Sequence, residues 1–333
     1  MDQVRQIARA VLYEGYLLWP YRRSALKNQQ RWTIGGVHPE PYGRAHEGNP
    51  WLTQTQCLVE ADPAGTLDVH VRFLHLVSRR TARARGDGLE PVPELTVGDR
   101  RFLPWEEAVE REVAASGLDL AGLLRRPHRI LIDVPAGQET EWLSDEAGRR
   151  AGAVVRGWEA LRGHVEVRAD RLRAGILRVT VRVVNTTPWQ GDDRAEAMRH
   201  SLISAHSVLR ADGGLFVSLM DPPEDLRSFA ADCRNLGTWP VLVGEEGERH
   251  TVLSAPIILY DHPRIAPESP GDLFDATEID QLLTLSVLAL SDEEKREIRD
   301  GDPRAREILE RCDSLTPEQL MRLHGVLRTE PTT

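Results

Sequence analysis

Three residues in the second half of the chain are candidates for acid–base catalysis: His206, Asp261 and His262. Asp261 and His262 directly follow the apolar run APIILY, at the end of a predicted strand, where a rigid scaffold often presents functional groups. If residues 201–210 form a strand, His206 shares a face with Ser204. These groups define one hypothesis, a hydrolase of unassigned chemistry with its site near His206 and His262.

Each of these residues also has a structural interpretation, which we favour. Adjacent side chains on an extended segment point to opposite sides, so Asp261 fits a turn residue and His262 an exposed histidine. Ser201, Ser204 and His206 likewise fit the polar, water-facing side of a strand. The sequence therefore leaves the hydrolase as the alternative hypothesis.

The sequence has none of the spacings that mark a metal or cofactor site. It contains eleven histidines, but His70 and His75 are an odd number of residues apart and point to opposite faces of a strand. His200 and His206 lie roughly 20 Å apart if both are on one strand. The chain has no CxxC, HExxH, GxSxG or GKS/T motif. We therefore predict no metal site and no cofactor.

The most unusual composition lies between Tyr13 and Pro39, which we call the aromatic–basic segment. Trp, Tyr and Arg dominate interface hot spots, so this composition predicts binding of an acidic or aromatic partner. In the alternative, the aromatic rings seal the core while the basic head groups reach water at its edge. The candidate partner-binding residues are Trp19, Tyr21, Arg22, Arg23, Lys27, Arg31 and Trp32.

Composition excludes several classes of protein. The 333 residues carry a formal net charge of −10, which argues against general binding to nucleic acid, because a phosphate backbone requires a basic surface. The apolar runs are far shorter than the roughly 20 residues of a membrane span, so no membrane insertion is expected. Three widely separated cysteines indicate no disulfide framework. The start of the chain lacks the pattern of a secretory signal, and we expect a cytoplasmic protein.

Periodicity predicts mostly antiparallel strands. The clearest hairpin joins His164–Ala169 to Ile176–Val184, which alternate apolar and polar residues on either side of a short turn. We expect a helix from Pro104 to Ala115, ended by Gly117, and an exposed loop over residues 79–101. A helix at 2–18 precedes an irregular stretch to Pro50. The remaining expected elements are strands at 52–61 and 66–78 around an Asp62–Gly65 turn, strands at 129–134, 201–210, 215–219, 240–243 and 251–260, and a helix at 223–234.

Helix starts cluster after residue 270. Ser291 to Glu294 forms a capping box, and Asp302-Pro303 places a cap before proline at the first helical position. We therefore predict an α+β protein: an antiparallel β-rich, sandwich-like body with an N-terminal helix and a C-terminal helical tail. The expected divisions are 1–50 packed on the body, 51–270 as the core domain, and 271–330 as the helical region. In the helical region, the apolar residues that we expect to be buried against the body are Leu282, Leu283, Leu290, Ile298, Ile308, Leu309, Leu320 and Leu323.

Three stretches resemble an uncharacterised protein family encoded in actinobacterial-type [NiFe]-hydrogenase gene clusters. They are LYEGYLLWPYRRSALKNQQRW, VTVRVVNTTPW and GTWPVLVGEEGERHTVLSAPIILYDHPRIAPESPGDLFDATEID. The resemblance covers about residues 12 to 325. It implies a cytoplasmic accessory or assembly factor that binds a hydrogenase subunit or maturation protein. The family's motifs carry no known chemistry, so the resemblance assigns no catalytic residue, and it does not imply that this chain binds nickel or iron.

Overall fold

The computed structural model describes residues 6–9, 12, 35–86 and 88–263, together with eight positions in the C-terminal region: 292, 295, 296, 299, 306, 309, 310 and 314. The described helices are α1 (Glu40–Ala45), α2 (Leu120–Arg125), α3 (Arg194–Arg199) and α4 (Arg227–Ala231), with a 3-10 turn at Glu224–Leu226. The strands are β1 (Leu52–Arg85), β2 (Gly88–Val92), β3 (Leu95–Val97), β4 (Arg100–Phe102), β5 (Trp105–Asp119), β6 (His128–Val134), β7 (Gly137–Ser144), β8 (Arg150–Trp158), β9 (Leu161–Arg173), β10 (Ile176–Asn185), β11 (Ile203–Val217), β12 (Trp239–Leu242) and β13 (Thr251–Ala255).

The sheet is organised around β1, a single strand of 34 residues. Its first part pairs with β10 from Leu52 to Glu60, and its last part pairs with β5, β8 and β2. β11 pairs with β1 from Leu58 to Leu74 and so contacts both parts. The predicted turn at Asp62–Gly65 does not end the strand. It is a break in the register between β1 and β11, where the Ala64 amide donates to Asp62 Oδ1 at 2.9 Å.

One large apolar core holds the two ends of this sheet together. Side chains of β6, β9 and β10, including Ile132, Val165 and Val181, pack with Val69 and Val71 of β1 and with the core-facing side of β11. The strand order runs β12-β13-β11-β1-β10-β9-β6, so β12 and β6 form opposite edges. The α+β, β-rich class is confirmed, whereas the sandwich-like detail and the helical termini stay predictions.

The helix expected from Pro104 to Ala115 is wrong. This segment is β5, which pairs with β1 from Trp105 to Asp119. Glu, Ala and Arg favour a helix in isolation, but the full ladder of hydrogen bonds to β1 overrides that preference. Gly117, expected as a helix stop, has φ +65° at a register shift of this pair, and its amide donates to Asp68 Oδ1 at 2.7 Å.

The exposed loop expected over residues 79–101 is also wrong. β1 continues to Arg85, and β2 and β3 follow, with β3 paired to β4 in a small second sheet. Leu95 and Phe102 of this small sheet bury their side chains against Leu143 and Val154. The many arginines in this stretch suggested a solvated loop, but they lie on strands whose apolar positions, such as Leu95 and Phe102, are buried.

Several other predictions are confirmed. The hairpin of β9 and β10 forms where the alternation places it, and β6 forms at the strand expected over 129–134. The two strands expected at 201–210 and 215–219 form one strand, β11, and the expected helix at 223–234 is shorter. In the C-terminal region, Leu309 is buried as expected. The other seven apolar residues named for that region lie outside the described residues.

Candidate functional site: a charged groove on the sheet

The predicted partner-binding residues Trp19, Tyr21, Arg22, Arg23, Lys27, Arg31 and Trp32 lie outside the described residues. The end of the aromatic–basic segment is described from Gly35. Val37 forms an antiparallel bridge with Leu202, and the Gly35 carbonyl accepts from the Ala205 amide at 3.2 Å. Gly35 has φ +63°, and a Cβ added there would stand 2.4 Å from Pro256 Cγ, so only glycine fits. The segment therefore ends against the start of β11 and the residues that follow β13.

Asp261 and His262 cap the free edge of β12. The Asp261 carboxylate accepts from the Leu242 amide at 2.8 Å and from the Ser218 hydroxyl, and the His262 amide donates to the Leu242 carbonyl at 2.7 Å. His262 adopts φ +54°, in the left-handed region. Both residues thus satisfy backbone groups at the sheet edge. Both are half-buried, so His262 is not the exposed histidine that the sequence predicted.

His206 lies away from that edge and is buried. Its Nδ1 contacts the Ser204 carbonyl oxygen at 3.1 Å, and Nε2 has no hydrogen-bond partner among the described residues. Burial, with a smaller contribution from Arg72, lowers the pKa of the His206 imidazole to about 4. His206 is three residues along β11 from Leu209, which aligns through β13 with Leu242. Asp261 contacts Leu242. His206 is therefore separated from Leu242 by about 10 Å along β11 and by two interstrand spacings of about 4.8 Å across the sheet.

The interpretation of Ser201, Ser204 and His206 as a water-facing strand side is wrong, since all three are buried. Cross-strand pairing instead places His206 opposite Arg72 of β1, and Arg72 opposite Glu112 of β5. Directly paired residues share one face of a sheet. His206, Arg72 and Glu112 therefore form one row on the face that points away from the large core.

This face holds a groove of about 900 Å³, which we call the charged groove. Helical residues Ile7 and Ala8 cover its apolar end, where they pack with Val241 and Leu253, while Val208 lies against them. The charged end is open to solvent. Its ionisable lining residues are Arg9, Asp68, His70, Arg72, Glu110, Glu112, Arg210, Asp212, Glu248 and His250.

The lining side chains form a connected ion-pair network. His70 Nδ1 lies 2.8 Å from Glu112 Oε1, and the second oxygen of Glu112 lies 3.4 Å from Arg72 Nε. Arg72 Nη2 donates to Glu110 Oε2 at 2.8 Å, and Arg9 Nε lies 3.8 Å from the other Glu110 oxygen. Because Glu112 accepts the Nδ1 proton, a neutral His70 carries its lone pair on Nε2. That is the state in which an imidazole acts as a general base.

A second histidine contact, between His38 and Ser201, was missed in the sequence because 163 residues separate the two. His38 Nδ1 lies 2.9 Å from Ser201 Oγ, and both side chains are buried. The Ser201 hydroxyl donates to the Ala197 carbonyl at 2.7 Å, so His38 must donate to it. This polarity is opposite to that of a catalytic dyad, in which serine donates to histidine. Burial lowers the pKa of His38 to about 4, which fits a neutral structural role.

Exposed apolar side chains collect at the β12 edge, in what we call the apolar edge: Trp239, Ile258 and Tyr260. Ile258 is 76% exposed, Tyr260 is 79% exposed and Trp239 is 42% exposed. Between them, Ile257 and Leu259 pack inward against the buried residues of β12 and β13. This in–out alternation fixes the outward orientation of Ile258 and Tyr260. Capping of the β12 edge by Asp261 and His262 holds the segment in place.

Within the described part of the chain, no three His, Cys, Asp or Glu side chains are arranged to hold a metal ion. None of the described helices is long and apolar enough to cross a membrane.

The described cysteines are unsuited to nucleophilic catalysis. Cys57 is buried, and burial raises the pKa of its thiol; burial also raises the pKa of Cys233 to about 11. Both thiols are therefore poor nucleophiles near neutral pH.

The sequence matches no protein-family model and no curated protein.

Proposed function

We propose that this chain is a cytoplasmic accessory or assembly factor associated with a [NiFe]-hydrogenase, and that it binds a hydrogenase subunit or maturation protein without chemistry of its own. The observation that carries the proposal is the apolar edge. Trp239, Ile258 and Tyr260 all lie in the stretch from Gly237 to Pro263, which belongs to the longest of the three stretches that resemble the hydrogenase-linked family.

The geometry of the apolar edge suits a protein partner. Large apolar and aromatic side chains on a pre-organised backbone supply contact area with little loss of conformational entropy. Ile258 and Tyr260 are held outward by the inward packing of Ile257 and Leu259. Contiguous apolar patches on a protein surface commonly mark sites of interaction with other proteins.

Gly35, the first described residue of the aromatic–basic segment, lies next to the chain that leads into the apolar edge. Gly35 abuts Pro256, two residues before Ile258. We therefore include Trp19, Tyr21, Arg22, Arg23, Lys27, Arg31 and Trp32 in the proposed binding surface. Their arginines and aromatic rings would add charge recognition to the apolar contacts of Ile258 and Tyr260.

Affinity purification tests this proposal. A tagged copy expressed from its own locus should co-purify a hydrogenase subunit or maturation protein. Deletion of the gene should lower hydrogenase activity and slow processing of the large subunit, and reintroduction of the gene should restore both. Recovery of no hydrogenase component, together with unchanged activity and processing after deletion, would contradict the proposal.

A second candidate function is hydrolysis in the charged groove, favoured by the 2.8 Å contact between His70 Nδ1 and Glu112 Oε1. In this candidate His70 acts as the base that activates water, Glu112 orients its ring, and Arg72 stabilises negative charge on the substrate. Of the two histidines expected in a hydrolase site, His206 and His262, only His206 belongs to this candidate, because it lies beneath the groove next to Arg72. Asp261 and His262 instead form hydrogen bonds with Leu242 at the β12 edge.

A further inference from the structure

The strand β6 forms an open edge of the large sheet. It pairs along one side with β9, from His128 to Val134, without a shift in register. Among the described residues, no strand pairs with its other side, and no turn or loop forms a hydrogen bond with its backbone. Unpaired amide and carbonyl groups at a sheet edge are a template for a further strand. One side of the β6 backbone is therefore available for pairing.

The side chains of β6 alternate between the core and solvent. The apolar residues that face the core are Ile130, Ile132 and Val134. The residues that face solvent are Arg129, Leu131 and Asp133. Leu131, at 73% exposure, is a large apolar side chain without cover on this face. The span of β6 also lacks the lysine, proline and β-bulge that commonly protect an edge strand from pairing.

The charges on the solvent face are symmetric about Leu131. Arg129 lies two residues before it, and Asp133 lies two residues after it. We consider a second copy of β6 that pairs antiparallel along the open edge, with Leu131 opposite Leu131. Arg129 of each copy then lies opposite Asp133 of the other copy. Opposite charges in such cross-strand pairs are stabilising, so β6 is complementary to itself.

β9 extends this alternation of charge on both sides. Glu166 of β9 lies opposite Arg129, with 3.1 Å between Arg129 Nη2 and Glu166 Oε2, and Arg162 of β9 lies opposite Asp133. Across the paired edges the row would read Glu166, Arg129, Asp133 of the second copy and Arg162 of the second copy. The sign of the charge changes at each step. The two-fold symmetry of the pair generates this row twice.

Two prolines favour the same register. Pro127 and Pro135 flank β6, and proline cannot donate to a ladder of hydrogen bonds. Leu131 is the midpoint of the seven residues between them, so the register centred on Leu131 pairs all seven residues of both copies. A shift of one residue would oppose the solvent face of one copy to the core face of the other.

We propose that this chain forms a homodimer by antiparallel pairing of β6 with β6 of a second copy, with the two-fold axis at Leu131. The interface is isologous, because the same residues contribute from both copies. Each copy supplies seven strand residues, fewer than the about 20–30 of a standard interface, so we expect a dissociation constant in the micromolar range. β12 is the opposite edge of the sheet, so the dimer leaves the apolar edge uncovered and does not depend on the proposed function.

Sedimentation velocity of the full chain at a series of micromolar concentrations tests the proposal. The unaltered chain should show a reversible equilibrium between monomer and dimer. Arg129→Asp and Asp133→Arg should each weaken dimerisation about tenfold or more, because each variant places like charges opposite one another in both rows. Asp192→Arg, at an exposed position before α3, is the matched control and should dimerise as the unaltered chain does.

A mixture of the two charge variants separates loss of the interface from loss of the fold. In a mixed dimer of Arg129→Asp with Asp133→Arg, each row again joins an arginine to an aspartate. The mixture should therefore recover the dimer that neither variant forms alone. Unfolding midpoints should change little in either variant, because both positions are exposed.

A cysteine at the axis tests the register. In Leu131→Cys the two thiols lie on directly opposed residues, within reach of a disulfide, so mild oxidation should join the copies covalently. His164→Cys is the matched control: His164 lies in the same row on β9, and its two copies would be three interstrand spacings, about 14 Å, apart. Four results would each overturn the proposal: a monomer at every concentration, dimerisation unchanged by both charge variants, a mixture that stays monomeric, or equal cross-linking of the two cysteine variants.

Discussion

The Asn185 side chain at the end of β10 holds the backbone of Val37 at the end of the aromatic–basic segment. Its Nδ2 donates to the Val37 carbonyl at 2.8 Å and to the His200 carbonyl, also at 2.8 Å. Its Oδ1 accepts from the Thr187 amide at 2.9 Å. Asn185 is fully buried and belongs to the resembling stretch VTVRVVNTTPW, so this one amide ties that stretch to the end of the aromatic–basic segment.

Replacement of Asn185 by alanine should destabilise the fold strongly. The substitution removes three hydrogen bonds: the buried Thr187 amide loses its partner and the His200 carbonyl loses its side-chain donor, while the Val37 carbonyl keeps only the Leu202 amide. A buried polar group left without a partner costs about 1–3 kcal/mol. We expect the free energy of unfolding to fall by about 3 kcal/mol or more, measured by chemical denaturation. Asn49→Ala is the control: its amide makes only long contacts of 3.4 and 3.5 Å, so it should cost less than about 1 kcal/mol. Equal losses in the two variants would contradict this role of Asn185.

Acid should destabilise the protein through His206. Its folded pKa of about 4 is below the ordinary value of 6.5, so the unfolded chain binds the proton more tightly. The stabilisation is complete above the unfolded pKa and is lost as pH falls from about 6.5 towards 4. For His206 alone, linkage predicts a loss of about 2 kcal/mol in the free energy of unfolding between about pH 7.5 and pH 5.

Denaturant titrations of the His206→Gln variant at both pH values check this prediction. The pH-dependent loss should be smaller than in the unaltered chain by about 2 kcal/mol, although buried His38 and His75 keep part of the acid sensitivity. His128→Gln removes an imidazole from an exposed position of β6 and controls for that change alone. An unchanged slope in His206→Gln would show that this ring does not control acid stability.

The apolar edge should be needed for partner binding. Ile258→Ser with Tyr260→Ser should reduce recovery of the hydrogenase component about tenfold or more, because central apolar anchors carry most of the binding energy of an interface. Leu131→Ser is the matched control. Leu131 is 73% exposed, close to Ile258, but lies on β6 at the opposite edge of the sheet. A similar effect of both changes would argue against a specific surface at β12.

In the second candidate function, hydrolysis in the charged groove depends on His70. With p-nitrophenyl acetate and p-nitrophenyl phosphate as probes, His70→Asn should lower kcat about 100-fold or more if His70 is the general base. Glu112→Gln should lower kcat less and alter its pH profile, since glutamine still contacts the ring but carries no charge. His46→Asn, which replaces a histidine that stacks on Tyr42, is the control. Hydrolysis that survives in His70→Asn, or is absent in the unaltered chain, would eliminate the second candidate.

The sequence by itself determined the elements whose pattern is local. Alternation in His164–Ala169 and Ile176–Val184 predicts the β9–β10 hairpin, because a half-buried antiparallel strand requires period two whatever its partners. Spacing also predicted opposite faces for His70 and His75. In the structure His70 pairs with Glu112 at the surface, whereas His75 is buried.

Only the tertiary structure decided β5 and, with it, the charged groove. Glu110 and Glu112 stand in a sequence whose intrinsic preference is helical, and pairing with β1 makes it a strand. That pairing brings Glu112 to His70 and Arg72 across 40 residues of chain, and β11 adds His206 from the other side. Likewise, no local pattern places β6 at an open edge of the sheet. Local periodicity fixes the face on which a side chain lies, but long-range strand register determines its neighbours.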